Sequence, residues 1–406
     1  MNVQFYVPDH LDGTELETVL RSSPNTPILK PFDSALVNFV TNFAKAILLD
    51  KNARDYPELI VMANFFKSAN ILKLQEDLEC PGVRTARGLV FHMAPSNVDS
   101  VFLYSSLLSL LCGNVNIIRV SKSTGDQVRF VIDKLRYLLK GDHAAIADRL
   151  FLLTYEHDDA ITGLISEHCH MRVVWGGDAT VRKIRSLPLR PSASELCFPD
   201  RFSAAILVAS EIRALEPSAL SDICSQFFND SIWFAQQACS SPRLVSWIGT
   251  TDDCAEARRL FWGSFNIQLS SKVYENSAGM AMDRFVAACM VATDPLHLET
   301  TATSFPTRIL LDNGSLTTVK PYHCGNGLFY EQYFETIPQF FKTLSDREQT
   351  LSVFGVELDE ISKCAQMLPM RSVDRITKIG NALDFSHIWD GHNLLHSFTR
   401  QISIQL

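Results

Sequence analysis

Cys239 is the residue whose neighbours best suit covalent chemistry. It lies in Phe234-Ala-Gln-Gln-Ala-Cys239-Ser-Ser-Pro-Arg243, between an amphipathic run and a new apolar run. Its small and polar neighbours predict a turn that presents the thiol, and a thiolate is the reactive nucleophilic form of cysteine. The alternative is ordinary burial, because a cysteine is usually a small buried hydrophobe and this chain has 10 of them.

Two loops earlier in the chain place polar side chains after predicted strands. His92-Met-Ala-Pro-Ser-Asn97 follows one apolar run, and Arg119-Val-Ser-Lys122 ends the next. On local grounds Asn97 is predicted to cap the helix that follows or to form an Asx turn. Arg119 and Lys122 can equally be a solvated pair in a loop.

These loops belong to an alternation of strands and helices. Strands are predicted at 89–93, 116–120, 150–154, 171–175 and 204–208, and helices at 100–112, 126–139 and 158–169. This spacing predicts parallel βαβ units, in which ligands bind at the carboxyl ends of the strands.

The remaining segments complete a two-domain α/β prediction. Strands at 244–248 and 308–311 and helices at 273–289 and 358–367 indicate a second α/β domain. The first eighty residues are predicted to be an irregular lead with helical segments at 31–49 and 56–78.

Composition excludes several classes of function. The chain has 406 residues and a net charge of -8 with interspersed signs, whereas a nucleic-acid surface needs clustered Lys and Arg. The longest apolar run, at 101–112, is too short to span a bilayer. The first residues lack the basic and apolar pattern of an export signal, so none is predicted, and the scattered cysteines predict free thiols in a reducing cytoplasm.

Metal binding is not predicted. The cysteines include no Cys-x-x-Cys pair. His387, His392 and His396 lie close in sequence, but Asp384 and Asp390 are the only acids near them, and no zinc motif fits this spacing.

Three motifs in order resemble the aldehyde dehydrogenase superfamily. Gln237, Cys239 and Arg243 are similar to its catalytic-cysteine motif, Gln-x-Cys-x-x-x-x-Arg, with the arginine one place early. Pro95-Ser-Asn97 resembles its Pro-Trp-Asn, and Gly113-Asn-Val-Asn-Ile-Ile-Arg119-Val-Ser-Lys122 resembles its Gly-Asn-x-Val-Val-x-Lys-Pro-Ser-Glu. The resemblance implies that Cys239 is the nucleophile and that the Asn97 amide helps to form the oxyanion hole.

The same resemblance implies a nicotinamide cofactor. The cofactor-binding positions that it implies are Ala94, Pro95, Arg119, Ser121, Lys122, Gly176 and Gly177. Arg119 and Lys122 replace the family's Lys and Glu, and two cations favour a 2′-phosphate that a carboxylate would repel. We therefore expect NADPH rather than NADH.

Glu195 is a candidate general base. Glu195-Leu196 matches the start of the superfamily's Glu-Leu-Gly-Gly-Lys, but the glycines and lysine are missing. A surface loop position is the alternative for this carboxylate. Loss of a base fits an enzyme that does not activate water.

The tail resembles LuxC-type acyl-CoA reductases, the fatty-acid reductases of bacterial bioluminescence. Arg375-Ile, Gly380-x-Ala-x-x-Phe385 and Trp389-Asp-Gly391 follow the pattern of that branch, as do Cys324-Gly-x-Gly-Leu328 and Trp175-Gly-Gly177. The resemblance covers roughly residues 85 to 400. The Trp389 segment also suits a turn with an anchored aromatic ring, without a catalytic role.

These resemblances imply an aldehyde dehydrogenase-like α/β fold with a Rossmann-type parallel-sheet cofactor domain and a second α/β catalytic domain facing the cofactor across a cleft. The expected divisions are 1–205 for the N-terminal lead and cofactor domain, 206–370 for the cysteine domain, and 371–406 for a tail that returns to the cofactor domain or an interface.

The expected reaction is NADPH-dependent reduction of a fatty acyl-CoA or acyl-carrier thioester to the aldehyde through an acyl-enzyme. The alternatives are a hydrolytic aldehyde dehydrogenase and a cysteine-dependent acyltransferase or hydrolase without redox chemistry. A homo-oligomer and an acyl-transferring partner protein are further expectations.

Overall fold

The computed structural model describes residues 3–11, 15–79, 82–94, 101–122, 125–301, 304–314, 316–368 and 371–405. The chain divides into two compact units. The first comprises Met1–Asp200 with Phe385–Leu406, and the second comprises Arg201–Asp384. The predicted divisions were at 205 and 370, so the tail that rejoins the first unit starts later than residue 371.

The first unit alternates strands and helices from β3 onward. Its elements are β1 (Val3–Val7), α1 (Leu16–Ser22), α2 (Ser34–Leu48), α3 (Pro57–Phe65), α4 (Ser68–Leu78), β2 (Val83–Ala86), β3 (Leu89–Met93), α5 (Val101–Leu111), β4 (Val115–Arg119), α6 (Asp126–Lys140), β5 (Leu150–Tyr155), α7 (Asp159–His168), β6 (Met171–Trp175), α8 (Asp178–Arg185) and β7 (Ser194–Phe198). The strands predicted at 89–93 and 171–175 match β3 and β6, and β4 begins one residue before the prediction.

Local sequence explains these elements. In α6 five apolar residues at helical spacing are buried: Val128, Val131, Ile132, Leu135 and Leu139. The carboxylate of Asp158 caps α7 by accepting the backbone N–H groups of Ala160 and Ile161 at 2.8 and 3.2 Å.

The N-terminal lead is more regular than predicted. β1 pairs antiparallel with β5 at the edge of the first sheet, with Val3 opposite Tyr155. The helix predicted at 56–78 is two helices, α3 and α4.

The six strands of the first sheet have the order β1-β5-β4-β3-β6-β7. All neighbours except β1 and β5 are parallel. The chain builds outward from β3 through β4 to β5 and then returns to place β6 on the other side of β3. This is the order of dinucleotide-binding folds, and its direction changes between β3 and β6, where such folds bind ligands at the carboxyl ends.

The second unit contains the larger sheet. Its elements are β8 (Phe202–Val208), α9 (Ala209–Arg213), α10 (Pro217–Ser231), β9 (Leu244–Ile248), α11 (Thr251–Ser271), α12 (Ala278–Val291), β10 (His297–Thr300), β11 (Thr307–Leu311), β12 (Leu328–Phe334), α13 (Ile337–Phe341), β13 (Glu348–Phe354), α14 (Leu358–Gln366) and β14 (Arg375–Lys378). The strand order is β10-β11-β12-β9-β8-β13-β14, with only β10 antiparallel to its neighbour.

Two helices of this unit differ from the sequence prediction. α11, the longest helix of the described chain at 21 residues, was not predicted. The helix predicted at 273–289 begins instead at Ala278, because Ser277 caps it through the N–H of Met280 and Val273 is fully exposed in the link before it.

The tail from Phe385 belongs to the first unit. Its elements are β15 (Ile388–Trp389), β16 (His392–Asn393), α15 (Leu394–Phe398) and β17 (Thr399–Ile402), and β17 pairs antiparallel with β2. Asp390 and Gly391 turn the chain between β15 and β16 with φ of 47° and 74°. The Trp389 ring packs on Tyr104 with ring centroids 5.4 Å apart.

Among the described residues, no helix is both long and apolar enough to cross a membrane.

Candidate active site

Cys239 lies in the loop between α10 and β9, at the amino ends of the parallel strands of the second sheet. The hydroxyl of Ser203, the second residue of β8, donates to the carbonyl oxygen of Cys239 at 2.6 Å. The side-chain amide of Gln349, in β13, donates to the Sγ of Cys239 at 3.3 Å. Two strands therefore fix the backbone and the sulfur of this residue.

The surroundings of Cys239 differ from those of the cysteines in the core. Cys239 is partly exposed, whereas Cys224 and Cys254 are buried. Burial raises the pKa of Cys224 and of Cys254 to about 12, so both stay protonated at neutral pH. An N–H group that donates to sulfur favours the thiolate over the thiol, and Gln349 supplies such a donor to Cys239.

The backbone immediately before Cys239 is strained. Phe234, Ala235 and Gln236 have φ of 56°, 52° and 61°, which is the left-handed region that residues with a side chain rarely adopt. The buried Gln236 side chain holds this segment, because its Nε2 donates to the carbonyl of Pro242 at 2.8 Å and its Oε1 accepts the N–H of Gly327 at 3.0 Å. Strain of this kind persists where the surroundings over-determine the conformation, often at functional sites.

A second left-handed segment locks against the first. Gly325, Asn326 and Gly327 have φ of 72°, 57° and 82°. The N–H of Asn326 donates to the carbonyl of Ala235 at 2.8 Å, and the Gln237 amide donates to the carbonyl of Cys324 at 3.0 Å. The sequence resemblance included residues 324–328, but it did not predict that they support the cysteine loop.

His323 borders this second segment and is not a proton carrier. Its Nδ1 accepts the N–H of Gly325 at 3.1 Å, and its Nε2 faces the carbonyl of Leu328 at 2.9 Å. Burial, with Arg243 nearby, holds the pKa of His323 well below its usual value. The imidazole is therefore neutral, and both of its nitrogens serve the loop.

The first unit carries the predicted oxyanion and cofactor loops at the carboxyl edge of its sheet. Ala94 follows β3 and is buried, and its N–H donates to the carbonyl of Arg119 at 3.0 Å. Pro95 and Asn97 lie outside the described residues. Beneath the loop, His92 contacts Ser105 and Asn116 and burial lowers its pKa to about 4, so it is a neutral core residue.

Arg119 and Lys122 have partners on the neighbouring strand. The Arg119 guanidinium lies over the Tyr155 ring at 5.4 Å, and its Nη2 donates to the Tyr155 carbonyl at 3.3 Å. The exposed Lys122 pairs with the carboxylate of Glu156 at 2.6 Å. Ser121, which precedes Lys122 in the chain, is partly buried. The sequence reading missed Glu156, because it is distant from Lys122 in the chain and only the β4 and β5 pairing brings them together.

Gly176 and Gly177 lead from β6 into α8. The N–H of Gly176 donates to the carbonyl of Phe198 at 3.2 Å. The carboxylate of Asp200 accepts the N–H of Asp178 at 3.0 Å, and a Cβ on Gly177 would lie 3.1 Å from Asp200 Oδ2. An acid already caps α8, so the glycine pair also has a purely structural explanation.

A dinucleotide fits this edge of the sheet in part. The Nε of Arg119 and the indole N–H of Trp175 are buried donors without a hydrogen-bond partner in the described chain, and both residues end strands here. Buried donors normally have partners. Arg119, Ser121 and Lys122 are therefore suitable ligands for a polar cofactor. The start of α8 is less suited to bind a phosphate, because the Asp200 carboxylate already accepts an N–H group there.

Glu195 lies in β7, at the edge of the first sheet and away from the loops just described. Its Oε1 accepts the Nε of Arg172 at 2.7 Å, and its Oε2 lies 3.3 Å from the Nε of Arg185. The Arg172 side chain is 1% exposed, and a buried guanidinium needs a carboxylate partner. These contacts favour a structural role for Glu195.

The candidate residues thus fall in both units. Ala94, Arg119, Ser121, Lys122, Gly176, Gly177 and Glu195 belong to the first, and Cys239 belongs to the second. Within the part of the chain that is described, no group of three or more His, Cys, Asp or Glu side chains could hold a metal ion.

Sequence comparison identifies a family for part of the chain. Residues 80–263 match the model of the LuxC family, described as acyl-CoA reductase. No curated protein sequence matches the chain significantly.

Solved structures of the aldehyde dehydrogenase superfamily are similar to the whole chain. Lactaldehyde dehydrogenase from Escherichia coli has a TM-score of 0.63 at 13% identity, covering 97% of this chain and 90% of that one. Aldehyde dehydrogenase 21 from Physcomitrella patens, solved with the reaction product succinate, has a TM-score of 0.66 at 9% identity, covering 95% and 88%. At such identities the likeness confirms the predicted aldehyde dehydrogenase-like α/β fold and nothing further.

Proposed function

Since residues 80–263 match the LuxC acyl-CoA reductase family and the chain has an aldehyde dehydrogenase-like fold, we propose that this protein reduces an acyl thioester to the aldehyde with NADPH. The observation that carries the proposal is the setting of Cys239. It lies within the matched segment, on a strained loop, with a partly exposed thiol that receives the Gln349 amide.

The first half-reaction is acyl transfer to Cys239. Its thiolate attacks the thioester carbonyl carbon, and the carbonyl electrons move to oxygen. The Asn97 amide and the backbone N–H of Cys239 are the proposed donors to this oxyanion, each worth about 3 kcal/mol in comparable enzymes. The bond to the leaving sulfur then breaks, and the thiolate of coenzyme A or a carrier departs without prior protonation.

The second half-reaction reduces the acyl-enzyme. A reduced nicotinamide, when bound, would supply a hydride. Addition of that hydride to the acyl carbon would convert the Cys239 thioester into the anion of a hemithioacetal. The same donors hold its oxygen until the carbon–sulfur bond breaks, releasing the aldehyde and the Cys239 thiolate. No step activates water, so the proposed reaction needs no general base at Glu195.

The cofactor preference rests on charge. Arg119, Ser121 and Lys122 are proposed to hold the adenosine ribose and its 2′-phosphate, with Ala94, Pro95, Gly176 and Gly177 against the rest of the dinucleotide. Phosphate is recognised most strongly by guanidinium and ammonium donors. Glu156 opposes this preference because it shares the Lys122 ammonium.

The acyl donor, an acyl-transferring partner protein, a homo-oligomeric state and a cytoplasmic location remain predictions. Their basis is the family resemblance together with the charge and cysteine pattern of the sequence.

The experiment follows reduced nicotinamide by absorbance on mixing the protein with NADPH and a long-chain acyl-CoA, with aldehyde trapped in parallel. Cys239→Ala is the test variant, and Cys289→Ala, which removes an exposed cysteine, is the control. We expect oxidation of NADPH in step with aldehyde, lost only in Cys239→Ala. Cysteine-dependent release of free thiol without NADPH oxidation would instead indicate a transferase or hydrolase, and activity in Cys239→Ala would exclude the mechanism.

A further inference from the structure

A cavity lies at the amino ends of the parallel strands of the first sheet, opposite the ends that carry the cofactor loops. The cavity has a volume of about 330 Å³ and is lined at the amino ends of β3 and β4 by Gly88 and Gly113. Volumes of this size are at the lower end of small-molecule sites. Because β3 and β4 are parallel, their carboxyl ends carry the loops of the proposed reductase site, and the cavity belongs to none of those loops.

The charged residues that line the cavity are cationic. They are Arg87, Arg149 and Arg400, with His170 beside them, and the described lining includes no carboxylate. Arg149 is 5% exposed and Arg87 is partly buried, whereas Arg400 on β17 is exposed. Cations in a partly buried cavity repel one another and require a counter-charge.

Among the described residues, the hydrogen-bond partners of Arg87 and Arg149 are neutral groups. Arg149 donates to the carbonyls of Pro27 and Gly113, and Arg87 donates to the carbonyl of Ser397 and to the hydroxyl of Ser194. Within the described ranges, neither residue forms an ion pair.

The pKa values of Arg87 and Arg149 are lowered as well. Burial lowers the pKa of Arg87, and Arg400 and Arg84 lower it further. Burial also lowers the pKa of Arg149, while Asp33 and Asp148 oppose this through space without touching it. The positive charge at the cavity is therefore only partly offset by the protein.

His170 lines the cavity, and each of its ring nitrogens faces an N–H donor. The N–H of Leu89 donates to its Nδ1 at 3.0 Å, so the ring proton of the neutral imidazole lies on Nε2. That Nε2 is 3.0 Å from the Nη1 of Arg190, which can only donate.

We propose that this cavity binds a phosphate-type oxyanion held by the guanidinium groups of Arg87, Arg149 and Arg400. Planar guanidinium groups match phosphate oxygens in pairs, and a helix terminus is not needed. The anion neutralises the cluster, and His170 lines the same cavity. The same chemistry serves free phosphate and the phosphoryl group of a small organic molecule, and the two sources are distinguished by experiment.

The test measures binding by calorimetry and thermal shift to the full chain, with sodium chloride at matched ionic strength as the reference. The probes are inorganic phosphate, pyrophosphate and glycerol 3-phosphate, each added with and without saturating NADPH. Arg400→Glu places a carboxylate in the cluster. Arg129→Gln removes an exposed arginine of α6, which pairs with Asp126 away from the cavity, and is the control.

We expect saturable binding of at least one probe, unchanged by NADPH, weakened about tenfold or more in Arg400→Glu and unchanged in Arg129→Gln. Tighter binding of glycerol 3-phosphate than of phosphate would indicate a phosphorylated organic ligand. Arg400→Glu should also melt at a higher temperature than wild type without anion. Equal binding by Arg400→Glu, competition by NADPH, or no binding beyond chloride would overturn the proposal. None of these outcomes depends on Cys239 activity.

Discussion

The side-chain amide of Gln349 donates to the thiol sulfur of Cys239 across a sequence separation of 110 residues. Gln349 lies in β13 and is 3% exposed, so the buried sheet holds its amide donor in place. A fixed donor to sulfur requires no reorganisation when charge forms there, which is the advantage of a preorganised site.

Replacing Gln349 with Leu should slow the alkylation of Cys239. A hydrogen bond to a charged group contributes about 1.5 to 3 kcal/mol, so the thiolate fraction should fall about tenfold. The measurement is the rate of iodoacetamide modification at neutral pH, read at Cys239 by mass spectrometry. Gln366→Leu changes an exposed glutamine of α14 and is the control. An equal rate in wild type and Gln349→Leu would exclude thiolate stabilisation by this amide.

A methyl group at Gly325 should disturb the cysteine loop. Its Cβ would lie 2.5 Å from the Gln237 Nε2 and 3.2 Å from the Ala235 carbonyl, and φ is 72°. Gly325→Ala should therefore destabilise the second unit by about 1 to 3 kcal/mol and lower the acylation rate. Urea denaturation and single-turnover acylation measure the two effects.

Gly263 provides the matched control for this substitution. It lies inside α11 on an exposed face, and a Cβ there meets nothing within 4 Å. Gly263→Ala should stabilise the protein by about 1 kcal/mol, because alanine favours a helix interior over glycine. If Gly325→Ala and Gly263→Ala changed the stability and the acylation rate alike, the contact between residues 234–236 and 325–327 would not explain the effect of Gly325→Ala.

Local pattern was sufficient where a segment determines its own structure. The buried strands of the first sheet are short runs of Leu, Val, Ile and Phe, and these predict parallel strands. α11 also has a local pattern, with buried residues at helical spacing from Cys254 to Leu269. Gly263 and Asn266 weaken that pattern, and the helix was not predicted.

Contacts between distant segments could not be read from the sequence. The pairing of β1 with β5, the support of residues 234–236 by residues 325–327 and the Gln349 donor all depend on the tertiary fold. For the same reason, a residue that matches a motif does not always have the contacts that the motif implies. Glu195 matched a motif, but its contacts with Arg172 and Arg185 are set by neighbouring elements.

Exchanging charge at the Lys122 and Glu156 pair should change the cofactor preference. Glu156→Gln frees the ammonium and removes a carboxylate that would repel a 2′-phosphate, so the NADPH to NADH ratio of kcat/KM should rise several-fold. Lys122→Met should lower the same ratio, as should Arg119→Ala. Lys140→Met, which removes an exposed lysine paired with Asp9, is the control. Unchanged ratios in all three variants would contradict the assignment to NADPH.

Glu195→Gln should affect stability and not reduction. It leaves the buried Arg172 without a charged partner, which should cost about 3 to 5 kcal/mol of folding free energy. The NADPH-linked kcat with acyl-CoA should stay within about twofold of wild type, because water is not activated in that reaction. Glu167→Gln, an exposed site on α7, is the control. A large loss of kcat without loss of stability would restore Glu195 as a catalytic base.

Asp230 should give the second unit a pH-dependent stability. The carboxylate is buried in α10 and accepts the N–H groups of Gly380 and Ala382 at 2.6 and 3.0 Å. Burial raises its pKa from 3.8 to about 6, with the backbone donors opposing this. The folded state thus binds the proton more tightly than the unfolded state.

The sign of the effect follows from that difference in proton affinity. The stability due to protonated Asp230 is fully present below pH 3.8 and is lost as the pH rises to about 6, a change of about 3 kcal/mol. Asp230→Asn cannot ionise, so the free energy of urea unfolding of wild type relative to Asp230→Asn should fall across this window. Asp222→Asn, exposed on the same helix, should leave the wild-type slope intact. A difference that is constant with pH would show that Asp230 does not titrate in this range.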